Sequence, residues 1–300
     1  MDLASLSACL GTSSCAITQI TSGLIVGMVL FLVAAGLSLI FGVLKVINFT
    51  HGSFYMLGAY FAHTALRLTG SYAVAVLAGA LGVALCALVF ERLFMSRAYG
   101  SNVLLQLLVC YAFILIFDDL VKIVWGREFL SAGMPDAFRV APYRIAGGLV
   151  PRFYVFLIAM ALAVGAVLSL SINRTRVGKI VRAAAQNPGM VSALGIDTSF
   201  VYGAVFAAGG LLAGLGGALA APVRSLAPGM GFSILIESFI VTVIGGMGSI
   251  TGAFVGSILL GLTRSFGTIG FPLFTDGLVS LMMVVVLIVR PSGLFGKAVD

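Results

Sequence analysis

Charge is scarce in this 300-residue chain: 17 Lys or Arg against 10 Asp or Glu make 9% of residues charged, where a soluble domain carries about a quarter. No ordinary aqueous surface can be built from that, which excludes a soluble enzyme and leaves an integral membrane protein. Catalytic signatures are missing too. Gly178-Lys179 is followed by Ile180 and lacks the upstream glycine, so no phosphate-cradling loop of the Gly-x-x-x-x-Gly-Lys-Ser/Thr type exists. His-Glu-x-x-His, Gly-x-Ser-x-Gly and a convincing Ser/His/Asp set are likewise absent, so catalytic, cofactor-binding and metal-binding residues are all expected to be none. The four cysteines have no metal spacing. Cys86 and Cys110 lie inside apolar runs as small packing residues, and Cys9 and Cys15 flank a polar tail where they pair only if it is exported. The net charge of +7 sits at the ends of apolar runs, with no aromatic-interleaved basic patch. That pattern argues against nucleic acid and for Lys and Arg that fix membrane orientation.

What the chain has in quantity is hydrocarbon. A span takes about 20 apolar residues, and uncharged runs of that size occur at 22–44, 68–90, 98–117, 153–173, 199–223 and 238–263. Two weaker segments, 46–66 with His51 and His63 and 272–289 with Asp276, bring the expectation to about eight membrane elements in an all-α polytopic protein. Met1–Leu10 lacks the basic start of a cleaved signal peptide, so the first run reads as a retained span. Arg92 and Arg97, the cluster Arg174, Arg176, Lys179 and Arg182, and Arg290 with Lys297 are placed in the cytoplasm. The long connection after Asp118 and Asp119, of mixed charge, is placed outside.

Eight single helices starting from an external N-terminus would leave Arg290 and Lys297 outside. The conflict disappears if the apolar stretch 233–263 is two pieces meeting at Gly245-Gly-Met-Gly248, where three glycines in four residues weaken a helix. A similar break is expected at Val46-Ile-Asn-Phe-Thr-His-Gly52. Gly52-Ser53 with Gly58-Ala59-Tyr60 and Gly248-Ser249 with Gly252-Ala253-Phe254 hint at an internal repeat. Paired interrupted helices point to a substrate path near the midplane, so Asn48, His51, Gly52, Gly245, Gly246, Gly248 and Ser249 are the candidate path residues. Asn48 and His51 read first as caps or structural hydrogen-bonding groups, with lining the path as the alternative. Gly248, Gly252 and Gly256, like Gly210 and Gly214, make bare faces for close helix approach, which pack or slide. Glu237, Asp118 and Asp119 stand at the ends of uncharged runs as interfacial residues rather than proton carriers.

Between two long apolar runs lies the polar segment 173–197. Asn187-Pro188 is a helix start, with Asn as N-cap and Pro at the first helical position, and Gly195 is a stop. About two turns result, offering Met190, Val191 and Leu194 as an apolar ridge. Two turns are not stable alone, so the helix docks either on a partner or on its own membrane domain.

Four motifs now resemble the inner-membrane permeases of branched-chain amino acid ABC importers, of the LivH type. They are Gly36-Leu-Ser-Leu-Ile-Phe-Gly42 running on to Val46-Ile-Asn-Phe-Thr-His-Gly-Ser-Phe54; Arg182-Ala-Ala-Ala-Gln-Asn-Pro-Gly189 with Ala193-Leu-Gly-Ile196; Ile244-Gly-Gly-Met-Gly-Ser-Ile-Thr-Gly-Ala253; and Arg290-Pro-Ser-Gly-Leu-Phe-Gly296. The resemblance spans nearly the whole chain. It implies a single transmembrane permease domain over 1–300, with an N-terminal tail at 1–21, an external loop at 118–152, a coupling loop at 174–198 and a cytoplasmic tail at 290–300. It implies ATPase-coupling residues Arg182, Ala183, Ala184, Asn187, Pro188, Met190, Val191, Leu194 and Gly195. Arg182 stands where the wider importer pattern has Glu. The implied setting is a bacterial inner membrane. The implied partners are a related LivM-type permease, two ATPase subunits that use ATP and Mg, and an extracytoplasmic substrate-binding protein. Leucine, isoleucine or valine is the implied cargo, with urea, short amides or carboxylates carried by relatives. An ion-coupled secondary transporter is the alternative class, and it calls for a mid-span charge that the runs above do not contain.

Overall fold

In a bilayer the apolar side chains that a soluble protein would hide can face outward, so burial here follows helix packing rather than hydropathy. The computed structural model describes residues 8–9, 11–145 and 147–296. Its helices are α1 (Ser13–Leu44), α2 (His51–Thr69), α3 (Tyr72–Phe90), α4 (Val103–Trp125), α5 (Arg152–Arg174), α6 (Arg176–Gln186), α7 (Pro188–Ala193), α8 (Thr198–Ala220), α9 (Met230–Gly245), α10 (Ile250–Gly270) and α11 (Thr275–Val289). A small antiparallel hairpin, β1 (Tyr143–Ile145) with β2 (Gly148–Val150), sits between α4 and α5. The chain is an all-α multi-pass membrane protein. Six helical stretches among the described residues are long and apolar enough to cross a bilayer, fewer than the eight elements expected.

Two helices form the hub. The most apolar window of α1 is 83% buried and that of α8 78%, against 11% for α5. On the periphery, Leu77, Leu81 and Leu85 make an exposed stripe on one face of α3. The hub is drawn together by glycine. Gly36 of α1 lies against Gly209 of α8, Gly58 of α2 against Gly214 of α8, and Gly261 of α10 against Gly23 and Gly27 of α1. The two bare faces expected from the sequence are used in this way: Gly210 and Gly214 admit Ala87 and Gly79 of α3, and Gly252 and Gly256 admit Gly245 and Val241 of α9.

The apolar stretch around 245 is indeed two helices. α9 ends at Gly245, Gly246 and Gly248 adopt φ of +98° and +86°, and α10 starts with Ser249 Oγ accepting the Gly252 N–H at 3.0 Å. Breaking a helix frees carbonyls that a bilayer cannot solvate. Here the C-terminal segment supplies the donors: Leu294 N–H donates to Ile244 O at 2.8 Å and Phe295 N–H to Gly245 O at 3.0 Å. The other break is present too. α1 stops with Lys45 at φ +59°, residues 45–50 are non-helical, and α2 begins at His51.

Two boundaries move. The tail at 1–21 is helical from Ser13 onward, and Cys9 and Cys15 form a disulfide with Cα atoms 5.2 Å apart. Ser14 Oγ donates to Gly147 O, tying this end to the β-hairpin. The loop expected over 118–152 starts only at Gly126, because the charges that ended the apolar run are satisfied on the helix. Lys122 pairs with Asp119 at 2.9 Å, Asp118 accepts the Gly229 N–H at 3.1 Å, and Trp125 Nε1 donates to Thr64 of α2. Of the tail at 290–300, Lys297 lies outside the described residues.

Candidate functional site

The basic segment 174–198 folds into two short helices. Thr175 Oγ1 accepts the Gly178 N–H and starts α6; Asn187 Oδ1 accepts the Met190 N–H at 3.0 Å and starts α7. Gly195 stands past its end at φ +81°, so the cap, first-turn proline and stop read from the sequence are all in place. The expected ridge divides, however. Val191 is 3% exposed and packs with Val181 and Ala184 of α6 against Leu39 and Val43 of α1 and Val201 and Val205 of α8. Met190 and Leu194 are 60% and 73% exposed. Successive helical positions are about 100° apart, so a neighbour of Val191 cannot share its socket. Val177 and Phe200 are exposed as well, extending the apolar surface of the element. Ala184 is buried and Ala183 exposed, while the Arg182 guanidinium donates to the Ile172 carbonyl at the end of α5. Arg182 thus caps a helix of its own chain, favourably placed against the negative end of the helix dipole.

Asn187→Ala tests the cap. Removing an N-cap side chain costs about 1 kcal/mol, so the amides of Met190–Leu194 are expected to exchange roughly fivefold faster, with the thermal midpoint of the membrane body unchanged. Hydrogen exchange with mass spectrometry reads both.

A second cluster at this end was not singled out beyond the basic Arg92. α3 passes into a π-helical turn, Glu91–Met95, and then Ser96–Ala98. Its Glu91 is buried and accepts from the Tyr99 hydroxyl at 2.9 Å, and Arg92 donates to Ser199 Oγ in the first turn of α8, also at 2.9 Å. Burial, with the Glu91 carboxylate adding to it, pushes the Tyr99 phenol well up, so it stays a donor. Asp197 caps the same turn of α8 by accepting from Ser199 and Phe200 N–H. The exit of the α6–α7 element is thereby clamped to the α3–α4 elbow. Glu91-Arg92 directly after an apolar run was the available signal.

The two breaks are filled differently. At the first, Asn48 and His51 are fully buried. Asn48 Oδ1 accepts the Thr50 N–H at 3.1 Å and Cys110 Sγ approaches it at 3.8 Å; His51 Nε2 donates to Val33 O at 3.0 Å. Asn48 Nδ2 and His51 Nδ1 are buried without partners. Gly52 is in backbone contact with Gly231 of α9. At the second, Gly248 lies on Gly42 of α1, Gly246 is covered by Gly293 and Gly296, Gly245 is packed on Gly252, and Ser249 caps α10. Gly36, beside His51, and Gly42, beside Gly248, are about 9 Å apart along α1 at 1.5 Å per residue. At the first break two buried polar atoms are unsatisfied; at the second, Gly245 and Gly246 are buried while Met247 and Gly248 are exposed.

Comparison with known proteins agrees with this architecture. Residues 19–287 match the model of a family described as "Branched-chain amino acid transport system / permease component". The chain is 28% identical over 292 residues to the high-affinity branched-chain amino acid transport system permease protein BraD of Pseudomonas aeruginosa, covering 93% of this chain and 95% of that one. It is 28% identical over 295 residues to LivH of Escherichia coli K12, with the same coverage. It is 26% identical over 281 residues to a probable branched-chain amino acid permease, LivH, of Methanocaldococcus jannaschii, covering 89% and 88%. Among solved structures, PsaBC from Streptococcus pneumoniae in complex with Fab superposes with a TM-score of 0.51 at 12% identity over 96% of this chain and 95% of that one, a likeness of fold alone.

Proposed function

The chain belongs to the family of permease components of branched-chain amino acid transport systems, and on that premise we propose that it carries leucine, isoleucine or valine across a bacterial inner membrane as the LivH-type subunit of an ATP-driven importer. Its partners in this reading are a LivM-type permease, two ATPase subunits that bind the ATP and Mg, and a binding protein that delivers the amino acid. The chain itself binds no nucleotide, having no phosphate-cradling motif.

The observation that carries the reading is the division of labour on α7. Val191 seats the helix on α1 and α8, and Met190 and Leu194 are left outward. A displacement applied to that outward face passes through the Val191 socket to the two hub helices. The clamp from Arg92 to Ser199 keeps the start of α8 in step with the α3–α4 elbow. Helices that touch through glycine backbone offer few side-chain interlocks, which suits a bundle that alternates between outward and inward access.

Co-expression with the neighbouring permease and ATPase subunits tests this. Affinity purification through this chain is expected to recover both, and proteoliposomes of the complex to take up leucine only with ATP inside the ATPase compartment and binding protein outside. Leucine uptake by this chain alone, without any ATPase, would contradict it.

A further inference from the structure

α5 leans on the bundle by its outer half alone. Phe153, Leu157 and Ala161 are buried, but no residue from Leu162 to Val177 is. Along that stretch the helix stands off α8, leaving a cavity of about 420 Å³ between them. Val164, Leu168 and Ile172 of α5 line one side of it, and Ala204, Ala208 and Leu211 of α8 the other. The row on α5 runs about 12 Å at 1.5 Å per residue. Val167, also in the lining, is 64% exposed, so the groove opens sideways to whatever surrounds the bundle.

Its character changes along its length. Ser171 carries the one polar side chain in the lining, and it lies at the end nearest α6. Val177 and Val181, one turn apart on α6, line that end. Arg174 and Arg176, on either side of Thr175, are exposed beside it. Among the described residues neither has an ion-pair partner. No acidic residue occurs between Asp136 and Asp197, and Asp197 is engaged in capping α8. The other two cations of the segment are placed elsewhere. Arg182 donates to the Ile172 carbonyl, and Lys179, two positions from Val177, falls on the far side of α6. An apolar groove at membrane depth that ends beside two unpaired guanidinium groups complements a hydrocarbon tail with an anionic head.

We propose that the groove between α5 and α8 holds an acyl chain of an anionic phospholipid, whose phosphate is bound by Arg174 and Arg176. A tail that leaves bilayer hydrocarbon for an apolar wall gains no hydrophobic free energy, so selection rests on the head group. Arginine pairs with phosphate through two parallel N–H donors, and each basic side chain near the surface favours an anionic lipid about fivefold. The tail lies beside Leu39, Val181 and Val205, which also form the Val191 socket. Bound lipid therefore supports the seat of α7 from the membrane side. The site depends on the membrane fold and not on the cargo.

Photolabelling tests this on the protein purified with its co-eluting subunits and reconstituted in phosphatidylcholine vesicles. The probes are phosphatidylglycerol and phosphatidylcholine with identical acyl chains, each carrying a diazirine on one chain. In the wild type, adducts are expected on the α5 and α8 peptides that line the groove, about 25-fold more from phosphatidylglycerol at equal mole fraction. Arg174→Gln combined with Arg176→Gln should bring phosphatidylglycerol down to the phosphatidylcholine level, and Lys179→Gln should leave the preference largely unchanged. Ala208 is exposed in the groove, so Ala208→Phe fills the space without disturbing the core. It should remove the groove adducts of both lipids with a thermal midpoint near wild type. Equal labelling by the two lipids in the wild type overturns the site, as does an unchanged preference in the double-glutamine protein. A groove labelled by neither lipid overturns it as well, and a disulfide from Leu168→Cys to a second permease chain would then identify a subunit interface.

Discussion

Gly52→Ala is expected to lower the thermal midpoint of the purified protein by about 5–10 °C and to abolish transport, while Gly277→Ala changes neither. A Cβ at position 52 would stand 2.1 Å from the carbonyl oxygen of Gly231 and 2.7 Å from Leu235 Cβ. The first of these is backbone of α9 and cannot rotate away, so α2 and α9 must separate. Overpacking of a well-filled core costs about 1–3 kcal/mol, and more where nothing can yield; at about 2–4 °C per kcal/mol for a chain of this size the shift follows. Separation would also disturb the first turn of α2, where Asn48 and His51 are held. At Gly277 nothing lies within 4 Å, and alanine is the better helix former. A thermal shift assay in detergent with uptake in proteoliposomes decides it: a Gly52→Ala protein of normal midpoint would mean that the α2–α9 contact is not a fixed one.

The residues that could be read from sequence were those whose signals are local. Gly245-Gly-Met-Gly248 marked a break because glycine weakens a helix wherever it stands, and Asn187, Pro188 and Gly195 marked a helix because a cap, a first-turn proline and a stop act within one or two turns. Misreadings came from partners far along the chain. α4 seemed to end at Asp118 because a carboxylate should not continue a span, yet Asp118 finds the Gly229 N–H, 111 residues away. Glu237 read as an interfacial carboxylate, and its ion-pair partner Arg264, across the hairpin, lay beyond the reach of a local signal. Arg290-Pro-Ser-Gly-Leu-Phe-Gly296 stood out as a motif with no visible role; it supplies the N–H donors that close the open end of α9. The same distance limit explains the ridge on α7. Its apolar residues were legible, but which of them met the hub depended on where Leu39, Val43, Val201 and Val205 converge.

That division on α7 yields the sharpest mutational contrast. Met190→Glu combined with Leu194→Glu is expected to cut ATP-dependent uptake at least about tenfold and to reduce recovery of the ATPase subunits in the same proportion, with expression and thermal midpoint near wild type. Both side chains are largely exposed, so the added carboxylates stay solvated at no folding cost. An apolar docking contact, however, loses its buried hydrocarbon and gains charges that must be desolvated, and each tenfold loss needs only about 1.4 kcal/mol. Val191→Asp should behave in the opposite order. Its position is 3% exposed among Val181, Ala184, Leu39 and Val205, so an unpaired carboxylate there costs several kcal/mol and the protein should express poorly and melt early. Pull-down yield, uptake rate and melting midpoint, measured on all three proteins, separate a docking face from a packing core. Full uptake and full ATPase recovery by the Met190→Glu/Leu194→Glu protein would show that the force enters the bundle somewhere else, because no other outward apolar side chain lies on α7 itself among the described residues with comparable reach from the Val191 socket.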